Sequence, residues 1–593
     1  MGIGRNDRVA IVLPDGPEMA VTFVAVAAGA TSAPLNPAYR ANEFDFYLSD
    51  LNAKALVVQA GIESPARAVA QARGIPLIEL SPVKDAEAGI FTLAGPKGVA
   101  CARNGFAQAD DLALVLHTSG TTSRPKIVPL TQTNICTSAH NVRACLELVD
   151  GDRCLNLMPL FHVHGLVAGL LASLAVGASV VCPPGFYAPK FFEWMEGFRP
   201  TWYTAVPTMH QAVLARAPLN REVIANCPLR LVRSSSSALP PQVKAELESV
   251  FNAPVIEAYG MTEAAHQITC NPLPPHQRKA GSVGVAAAVQ VAIADEAGSL
   301  LPSSETGEIV IRGANVLSGY ENNPSVNGSA FINGWFKTGD QGYLDEDGYL
   351  FITGRLKEII NRGGEKISPR EIDELLMDHP AVAQAVTFAV PHSKLGEEVA
   401  AAVVLRERGS ATEWEIREFA AARLSDFKVP RRVVILDEIP KGPTGKIQRI
   451  GLAQKLRLTA PDHEAEQVKV AYAAPRTPLE EMLARIWSKV LGVEPVGIHD
   501  NFFGLGGDSI LAARIINQVR ETLSVELSFL TFTDTPTVEG MSLAVVQSQA
   551  VKAERDDMAA VLAELEGLSD DEVQRLLQRE IERAEREIGG EGL

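Results

Sequence analysis

The chain has 593 residues, of which 46% are hydrophobic and 21% are charged. This composition is typical of a globular protein of several domains and excludes a disulfide-stapled miniprotein and a fibrous chain. The net charge of −17 argues against nucleic acid or an anionic membrane as a partner of the whole chain.

The cysteines and the first residues predict a cytoplasmic protein. The seven cysteines are odd in number and never spaced as C-x-x-C, which predicts reduced thiols and neither a disulfide framework nor a zinc site. The start, Met1 to Asp7, lacks the regions of a signal peptide. The apolar run from Leu166 to Val181 is interrupted by small polar residues, which favours a core helix followed by a strand over a membrane span.

Short β-rich runs alternate with helical stretches over residues 1–354. This alternation predicts βαβ units and largely parallel sheets in an α/β core. Examples are the predicted strands Val9–Leu13, Ala55–Val58 and Ala178–Cys182, and the predicted helices Pro17–Gly29 and Pro241–Phe251. From Gly281 to Arg312, valines alternate between turn signals, which predicts a smaller antiparallel β subdomain.

The second half of the chain divides into four further segments. Residues 355–456 show an α+β pattern, with helices at 369–377 and 412–424 and strands at 382–390, 399–405 and 432–436. Residues 457–475 are polar and aperiodic, as in a linker. Residues 476–550 predict a small four-helix-type domain that begins with the helix Thr477–Leu491. The acidic segment 551–593 predicts a helical tail, either a solvated extension or an element that docks a partner enzyme.

A hydroxyl-rich turn follows the predicted strand that ends at His117. Backbone N–H groups, neighbouring hydroxyls and an ammonium group suit the oxygens of a polyphosphate. The turn contains Thr118, Ser119, Gly120, Thr121, Thr122 and Lys126. The spacing is not that of a P-loop, and taken alone a Ser/Thr-rich surface loop has the same composition.

This string resembles the phosphate-binding signature of the adenylate-forming superfamily, which includes acyl-CoA synthetases, luciferases and peptide-synthetase adenylation domains. Four more strings resemble the family's motifs in the family's order, over nearly all of residues 1–456. They are Glu257–Glu263, Gly334–Asp340, Gly354–Lys357 and Pro443–Lys446. The resemblance implies an adenylation core with parallel sheets and a mobile C-terminal subdomain that moves as a lid.

The resemblance also implies roles for individual residues in ATP binding. Tyr259, followed by Gly260, would stack on adenine, and Asp340 would accept hydrogen bonds from the ribose hydroxyls. Arg355 would lie at the ribose or phosphate edge. Thr262 would donate to the α-phosphate.

Four further roles concern catalysis and movement. Glu263 would hold Mg²⁺, and Lys446 would place positive charge between the attacking carboxylate and the α-phosphate. Lys357 would be the hinge of the lid. The loop with Gly363 and Gly364 would let a thiol arm approach closely.

Departures from the family pattern point to one branch. Ser123 and Ile127 stand where glycines are usual, and the oxalate-activating acyl-CoA synthetases carry that serine. Two strings are similar to the same branch, Arg233–Leu239 and Asn361–Ser368. Relatives have a further N-terminal stretch before the point that matches Met1, so a start upstream stays open.

The segment Met158–Gly165 corresponds to a wall of the acyl pocket. Relatives that activate α-amino acids have an aspartate at the position of His162, where it pairs with the substrate ammonium, so an acid without an α-amino group is favoured here. By resemblance to the oxalate-type branch, a small polar acid would be capped by His162 or His164, by a serine of 234–237 such as Ser235 or Ser236, and by His266. The alternative is that each histidine is a packed or gating residue without substrate contact.

A second family resemblance lies in the small domain. Asp500–Leu511 resembles the attachment motif of acyl and peptidyl carrier proteins, which implies that Ser509 carries 4′-phosphopantetheine installed by a phosphopantetheinyl transferase. Ile510, Ala513 and Ile516 would face inward on the following helix. The alternative is that Ser509 merely caps this helix.

Together the motifs predict ATP-dependent and Mg²⁺-dependent activation of a carboxylic acid as acyl-AMP, then transfer to the thiol on Ser509. A downstream condensing or ketosynthase enzyme would use the product in a polyketide or nonribosomal peptide assembly line. The first alternative is an acyl-CoA ligase that acts on free coenzyme A. The second is an inactive scaffold that presents the carrier.

Overall fold

A computed structural model gives the fold of the chain. It describes residues 2–97, 101, 103–118, 125–392, 395–441, 447, 449–458, 472–502, 505, 509–523, 525, 527, 531–532 and 536–549. The chain forms two compact units, Met1–Ala460 and Pro461–Leu593, and each is described by itself. The boundary between them lies inside the stretch predicted as a linker. The predicted tail 551–593 lies outside the described residues.

Two sheets of seven described strands form the core of the first unit. The first has the spatial order Phe91–Ala94, Leu77–Pro82, Ala55–Gln59, Arg8–Val12, Thr31–Pro34, Leu112–His117 and Ile127–Thr131. The second has the order Val285–Ala286, His266–Cys270, Val255–Met261, Leu231–Ser235, Trp202–Ala205, Arg153–Asn156 and Ser179–Val181. The inner strands pair in parallel, and antiparallel strands lie at the edges. The predicted parallel α/β core is confirmed.

Helices connect and cover these sheets. The α-helices of the first unit are Pro17–Ala27, Ala41–Asp50, Pro65–Ala72, Gln132–Cys145, Ala172–Leu174, Phe191–Phe198, Pro207–Leu214, Arg221–Asn226, Pro241–Phe251, Pro324–Ala330, Pro369–Met377, Glu413–Ala421 and Leu452–Lys455. Many begin at a proline in the first turn, where the missing N–H leaves no bond unmade. The helix predicted after Leu166 is a π-helix over His164–Leu171, which continues into a short α-helix.

Two smaller sheets complete the first unit. One is antiparallel and contains Gln290–Ala294, Gly307–Arg312, Phe331–Ile332, Trp335–Leu344 and Leu350–Arg355. Its first two strands lie in the predicted β stretch 281–312, and the sheet extends beyond it to Arg355. The α+β segment contains strands Ile360–Arg362, Glu365–Ile367, Val382–His392, Gly396–Leu405 and Arg432–Ile435. Its helix predicted to end at 424 ends at Ala421.

The described part of the second unit contains helices joined by loops. Its helices are Pro478–Leu491, Ser509–Leu523 and residues 538–549. Thr477 caps the first of them through a capping box with Glu480. Trp487, Phe502 and Phe532 are fully buried at the centre, with ring contacts between all three.

The second helix of this unit turns several apolar residues toward the core. We expected Ile510, Ala513 and Ile516 to face it. Ile516 is half-buried and packs against the core, in which Ala512, Ile515 and Val519 are fully buried. The side chains of Ile510 and Ala513 lie outside the described residues. Within the described part of the chain, no helix is both long enough and apolar enough to cross a membrane.

Candidate active site

One strand pair carries residues of both the predicted nucleotide site and the predicted acid pocket. The strand Val255–Met261 leads through a short 3₁₀ turn into the antiparallel strand His266–Cys270, with a bulge beside Gly260. A Cβ atom on Gly260 would lie 1.5 Å from the carbonyl oxygen of His266, so only glycine fits there. This close pairing fixes Tyr259, Glu263 and His266 relative to one another.

At one end of this pair, Tyr259, Asp340 and Arg355 form a hydrogen-bonded group. The Tyr259 hydroxyl donates to Oδ2 of Asp340 at 2.6 Å, and Arg355 Nε donates to Oδ1 at 2.8 Å. The Asp340 carboxylate raises the pKa of the Arg355 guanidinium, whose side chain is 53% exposed. The predicted ribose-binding and adenine-binding residues therefore lie together, and the second lone pair of each carboxylate oxygen can still accept from a ligand.

The predicted metal ligand lies in the turn, in contact with a residue that the sequence did not reveal. Glu263 is 7% exposed, and the Tyr320 hydroxyl donates to its Oε1 at 2.8 Å. Burial raises the pKa of Glu263, and this hydrogen bond opposes the rise. Lys126 Nζ lies 4.5 Å from the centre of the Tyr320 ring. A carboxylate and an ammonium group thus flank one tyrosine.

The phosphate loop is described only at its two ends. The Thr118 backbone N–H donates to the Lys126 carbonyl at 3.0 Å, and the Lys126 N–H donates to the Thr118 hydroxyl at 3.2 Å. Burial, followed by the like charge of Lys357, lowers the pKa of Lys126. The predicted ligands Ser119, Gly120, Thr121 and Thr122 lie outside the described residues.

The acid-pocket residues meet beside the start of the π-helix. A Cβ atom on Gly165 would lie 2.4 Å from the Pro159 carbonyl oxygen, so glycine lets this helix begin close against the preceding turn. His164 is buried, and its ring stacks on His266 at 4.8 Å between centroids. Its Nδ1 lies 3.0 Å from the Ser236 hydroxyl. π-helical turns of this kind often occur at functional sites.

The remaining predicted pocket residues differ in their surroundings. Ser235 is buried and donates to the Ala258 carbonyl at 2.8 Å, so its hydroxyl is used within the sheet. His162 is half-buried beside Phe161. Ser236, Ala265 and His266 have φ values of 74°, 46° and 100°. Such strain in residues other than glycine is concentrated at functional sites.

Arg233 contacts the two pocket histidines. It lies in the string Arg233–Leu239 but was not predicted as a pocket residue. It is 0% exposed and donates from Nη1 to His164 Nε2 at 3.1 Å and from Nη2 to His266 Nε2 at 2.9 Å. Gln267 Oε1 accepts from Nη2 at 3.0 Å. Burial lowers the pKa of this guanidinium.

The predicted hinge and thiol loop lie in the α+β segment. Lys357 is exposed, directly after a turn in which the Leu356 N–H donates to the Gly339 carbonyl at 2.9 Å. Gly363 and Gly364 have φ values of 58° and 98° and form the turn of a hairpin.

Lys446 lies outside the described residues, but its neighbours link to the hinge. Ile447 bridges to Lys441. Arg449 pairs with Glu358 at 3.1 Å and with Asp373 at 2.7 Å. The chain just after the predicted lysine is therefore held to the residue that follows the hinge.

In the second unit, Ser509 is the first residue of its helix, as predicted. Its side chain and the preceding Gly506, Gly507 and Asp508 lie outside the described residues. The buried Phe502 holds the approach to this helix, with its N–H donating to the Pro536 carbonyl at 2.7 Å.

Comparisons with protein families match three parts of the chain. Residues 1–321 match the AMP-binding enzyme family, residues 371–446 match the C-terminal domain of that family, and residues 481–545 match the phosphopantetheine attachment site family. The third match includes Ser509.

Individual relatives match about three quarters of the chain. An oxalate--CoA ligase of Arabidopsis thaliana is 47% identical over 461 residues, covering 76% of this chain and 89% of that protein. The oxalate--CoA ligase of Saccharomyces cerevisiae is 42% identical over 475 residues, covering 76% and 87%. The crystal structure of ATP-bound MatB from Rhodopseudomonas palustris has a TM-score of 0.69 at 31% identity, covering 77% and 90%.

Proposed function

We propose a specific reaction for this chain, which belongs to the AMP-binding enzyme family and is an AMP-forming acid–thiol ligase. It activates a small carboxylic acid as acyl-AMP and transfers the acyl group to its own carrier domain. The observation that carries the proposal is the presence of the ligase domains and a phosphopantetheine attachment domain on one chain.

In the first step, a carboxylate oxygen of the acid attacks the α-phosphorus of ATP, and pyrophosphate leaves. Asp340 and Arg355 hold the ribose side, and Tyr259 holds the base. Thr118, Lys126 and Thr262 bind the phosphates together with the loop 119–124. Lys446 places positive charge where negative charge develops on the α-phosphate.

Glu263 fits a magnesium site. Its buried carboxylate and Lys126 both contact Tyr320. Mg²⁺ is usually bound by one or two carboxylates plus phosphate oxygens. When bound, Mg²⁺ would neutralise charge on the triphosphate.

In the second step, the lid turns at Lys357 and the hairpin of Gly363 and Gly364 admits the arm carried by Ser509. The thiol of that 4′-phosphopantetheine group would take the acyl group, with AMP leaving. A phosphopantetheinyl transferase must first modify Ser509. We further propose that a condensing or ketosynthase enzyme uses the product, and that the tail 551–593 docks it.

The acid is small, polar and without an α-amino group. The pocket position that would pair with an ammonium is His162. The walls are formed by His164, Ser236 and His266, and Arg233 binds the two histidines. Two relatives that match 76% of this chain are named oxalate--CoA ligases. Oxalate is therefore the first acid to test.

A second candidate function is ligation of the acid to free coenzyme A. It is favoured because the matched relatives are named CoA ligases and cover 76% of this chain. Nothing in the described residues favours an inactive scaffold.

The test is acid-dependent exchange of pyrophosphate into ATP by the full chain, over a panel of small di-, keto-, hydroxy- and aryl acids. We expect Lys446→Ala to abolish exchange, and Ser509→Ala to retain exchange but lose acyl loading. If both variants lose exchange equally, this division of roles is wrong. If free coenzyme A is acylated faster than the holo chain, the second candidate replaces the first.

A further inference from the structure

Arg233 is a buried cation whose hydrogen-bond partners in the described part of the chain are all uncharged groups. They are two histidines, Gln267 and the hydroxyl of Thr204, which lies 3.4 Å from Nη1. Its Nε has no acceptor among the described residues. The other titratable groups that act on its charge are the thiols of nearby cysteines, which are weak acids. A buried charge without an opposite charge is unfavourable, and such groups are concentrated at functional sites.

The chemistry of the guanidinium group fixes the protons of both histidines. A guanidinium has N–H donors and no acceptor. The Nε2 atoms of His164 and His266 must therefore accept from Arg233, so each neutral ring carries its proton on Nδ1. The Thr204 hydroxyl, 2.7 Å from His164 Nε2, donates to the same atom.

This proton arrangement sets the direction of the next hydrogen bond. With the proton of His164 on Nδ1, that atom donates to Ser236 Oγ over 3.0 Å. The Ser236 O–H is then directed to donate elsewhere. In the opposite tautomer, Ser236 would donate to Nδ1 and present lone pairs to the pocket, which would repel a carboxylate oxygen.

We propose that Arg233 is a positioning residue that sets the donor direction of the acid pocket. Through His164 it makes Ser236 a donor to the acid, and through His266 it holds the second imidazole in the matching neutral form. Arg233 does this without touching the acid, because it is fully buried and its terminal nitrogens already bind the histidines. The inference deepens the proposed function, since it assumes that the acid binds at Ser236.

The first test needs no substrate. In the full chain labelled with ¹⁵N-histidine, two-bond ¹H–¹⁵N spectra distinguish the two tautomers, and His164→Gln and His266→Gln assign the signals. We expect both rings to carry the proton on Nδ1. A proton on Nε2 of either ring, or a doubly protonated ring, overturns the inference even if the proposed function is right.

The second test compares Arg233→Met with Arg230→Met by pyrophosphate exchange, using the acid of the panel that the wild type activates fastest. Arg230 is the matched control because it is paired with Asp152 away from the pocket. We expect Arg233→Met to raise the KM for the acid about tenfold or more, with the KM for ATP and the kcat changed less than about threefold. Arg233→Lys should recover part of this loss. The control should leave all three constants near those of the wild type.

The outcomes distinguish an error in the role of Arg233 from an error in the proposed function. A lower kcat with unchanged KM values would show that Arg233 is merely structural, and would overturn the inference alone. If no acid of the panel supports pyrophosphate exchange by the wild type, the proposed function is wrong. The histidine spectra would still decide the proton positions. If Arg233→Met does not fold, the wild-type spectra and Arg233→Lys remain decisive.

Discussion

Tyr320→Phe tests whether the buried carboxylate of Glu263 must be ionised for catalysis. The substitution removes only the hydroxyl that donates to Oε1 of Glu263, and leaves the ring beneath Lys126 in place. Hydrogen bonds to charged groups contribute about 1.5–3 kcal/mol. At 1.36 kcal/mol per pH unit, the loss should move the acid limb of the exchange activity by about 1–2 units.

The direction follows from the electrostatics of the site. Burial raises the pKa of Glu263 and the Tyr320 hydroxyl lowers it, so the pKa is higher still in Tyr320→Phe. A carboxylate with a raised folded-state pKa is ionised only at higher pH, and the acid limb should move upward. The stability difference between wild type and variant should be largest near neutral pH and shrink as acid protonates Glu263 in both.

The assay is pyrophosphate exchange from pH 5 to pH 9 at saturating ATP, with thermal unfolding over the same range. Tyr349→Phe is the matched control, because Lys279 lies 4.7 Å from its ring centre and its hydroxyl donates to a backbone carbonyl rather than a carboxylate. The control should leave the acid limb unchanged. An unchanged acid limb in Tyr320→Phe, or a shift to lower pH, would refute the assigned role of Glu263.

Three further predictions follow from described contacts. Asp340→Asn weakens the group that orients Tyr259 and the ribose, and should raise the KM for ATP about tenfold in steady-state exchange; an unchanged KM would remove Asp340 from the nucleotide site. Gly260→Ala places a Cβ 1.5 Å from a backbone oxygen and should abolish exchange or folding, whereas Gly151→Ala, with nothing within 4 Å, should behave as the wild type in both assays. Burial raises the pKa of Asp373 from 3.8 to about 6, so its contribution to stability falls as the pH rises between these values. Asp373→Asn should therefore flatten the pH dependence of the free energy of unfolding in this range, measured by chemical unfolding. An unaltered pH dependence would contradict this.

The parts of the fold that follow local patterns were predictable. Alternation of strand and helix patterns gave the parallel core, and turn signals between alternating valines gave the hairpin of Gln290–Ala294 with Gly307–Arg312. The capped helix Pro478–Leu491 was also visible, because its cap and first-turn proline are local signals.

The missed features depend on contacts between distant segments. Arg233 meets His164 and His266 only because its strand lies between Trp202–Ala205 and Val255–Met261, an order that no local pattern encodes. Tyr320 reaches Glu263 across 57 positions of the chain. The π-helix at His164 was missed because its hydrophobic pattern resembles that of an α-helix over so few residues.

The buried face of the helix Ser509–Leu523 could not be predicted from its sequence alone. Its sequence from Ile510 to Ile516 has neighbouring apolar residues in each turn, so the pattern is satisfied by more than one face. In the structure Ala512 and Ile515 are in one core with Trp487 and Phe532, and the half-buried Ile516 packs against it.

The most direct test of the account is the intact mass of the holo chain after incubation with ATP, Mg²⁺ and an activated acid such as oxalate, without coenzyme A. We expect the chain to gain the mass of one acyl group, located on the prosthetic group of Ser509, with AMP and pyrophosphate released in equal amounts. Release of ADP and phosphate, or acylation of added coenzyme A while the holo chain stays unloaded, would contradict it.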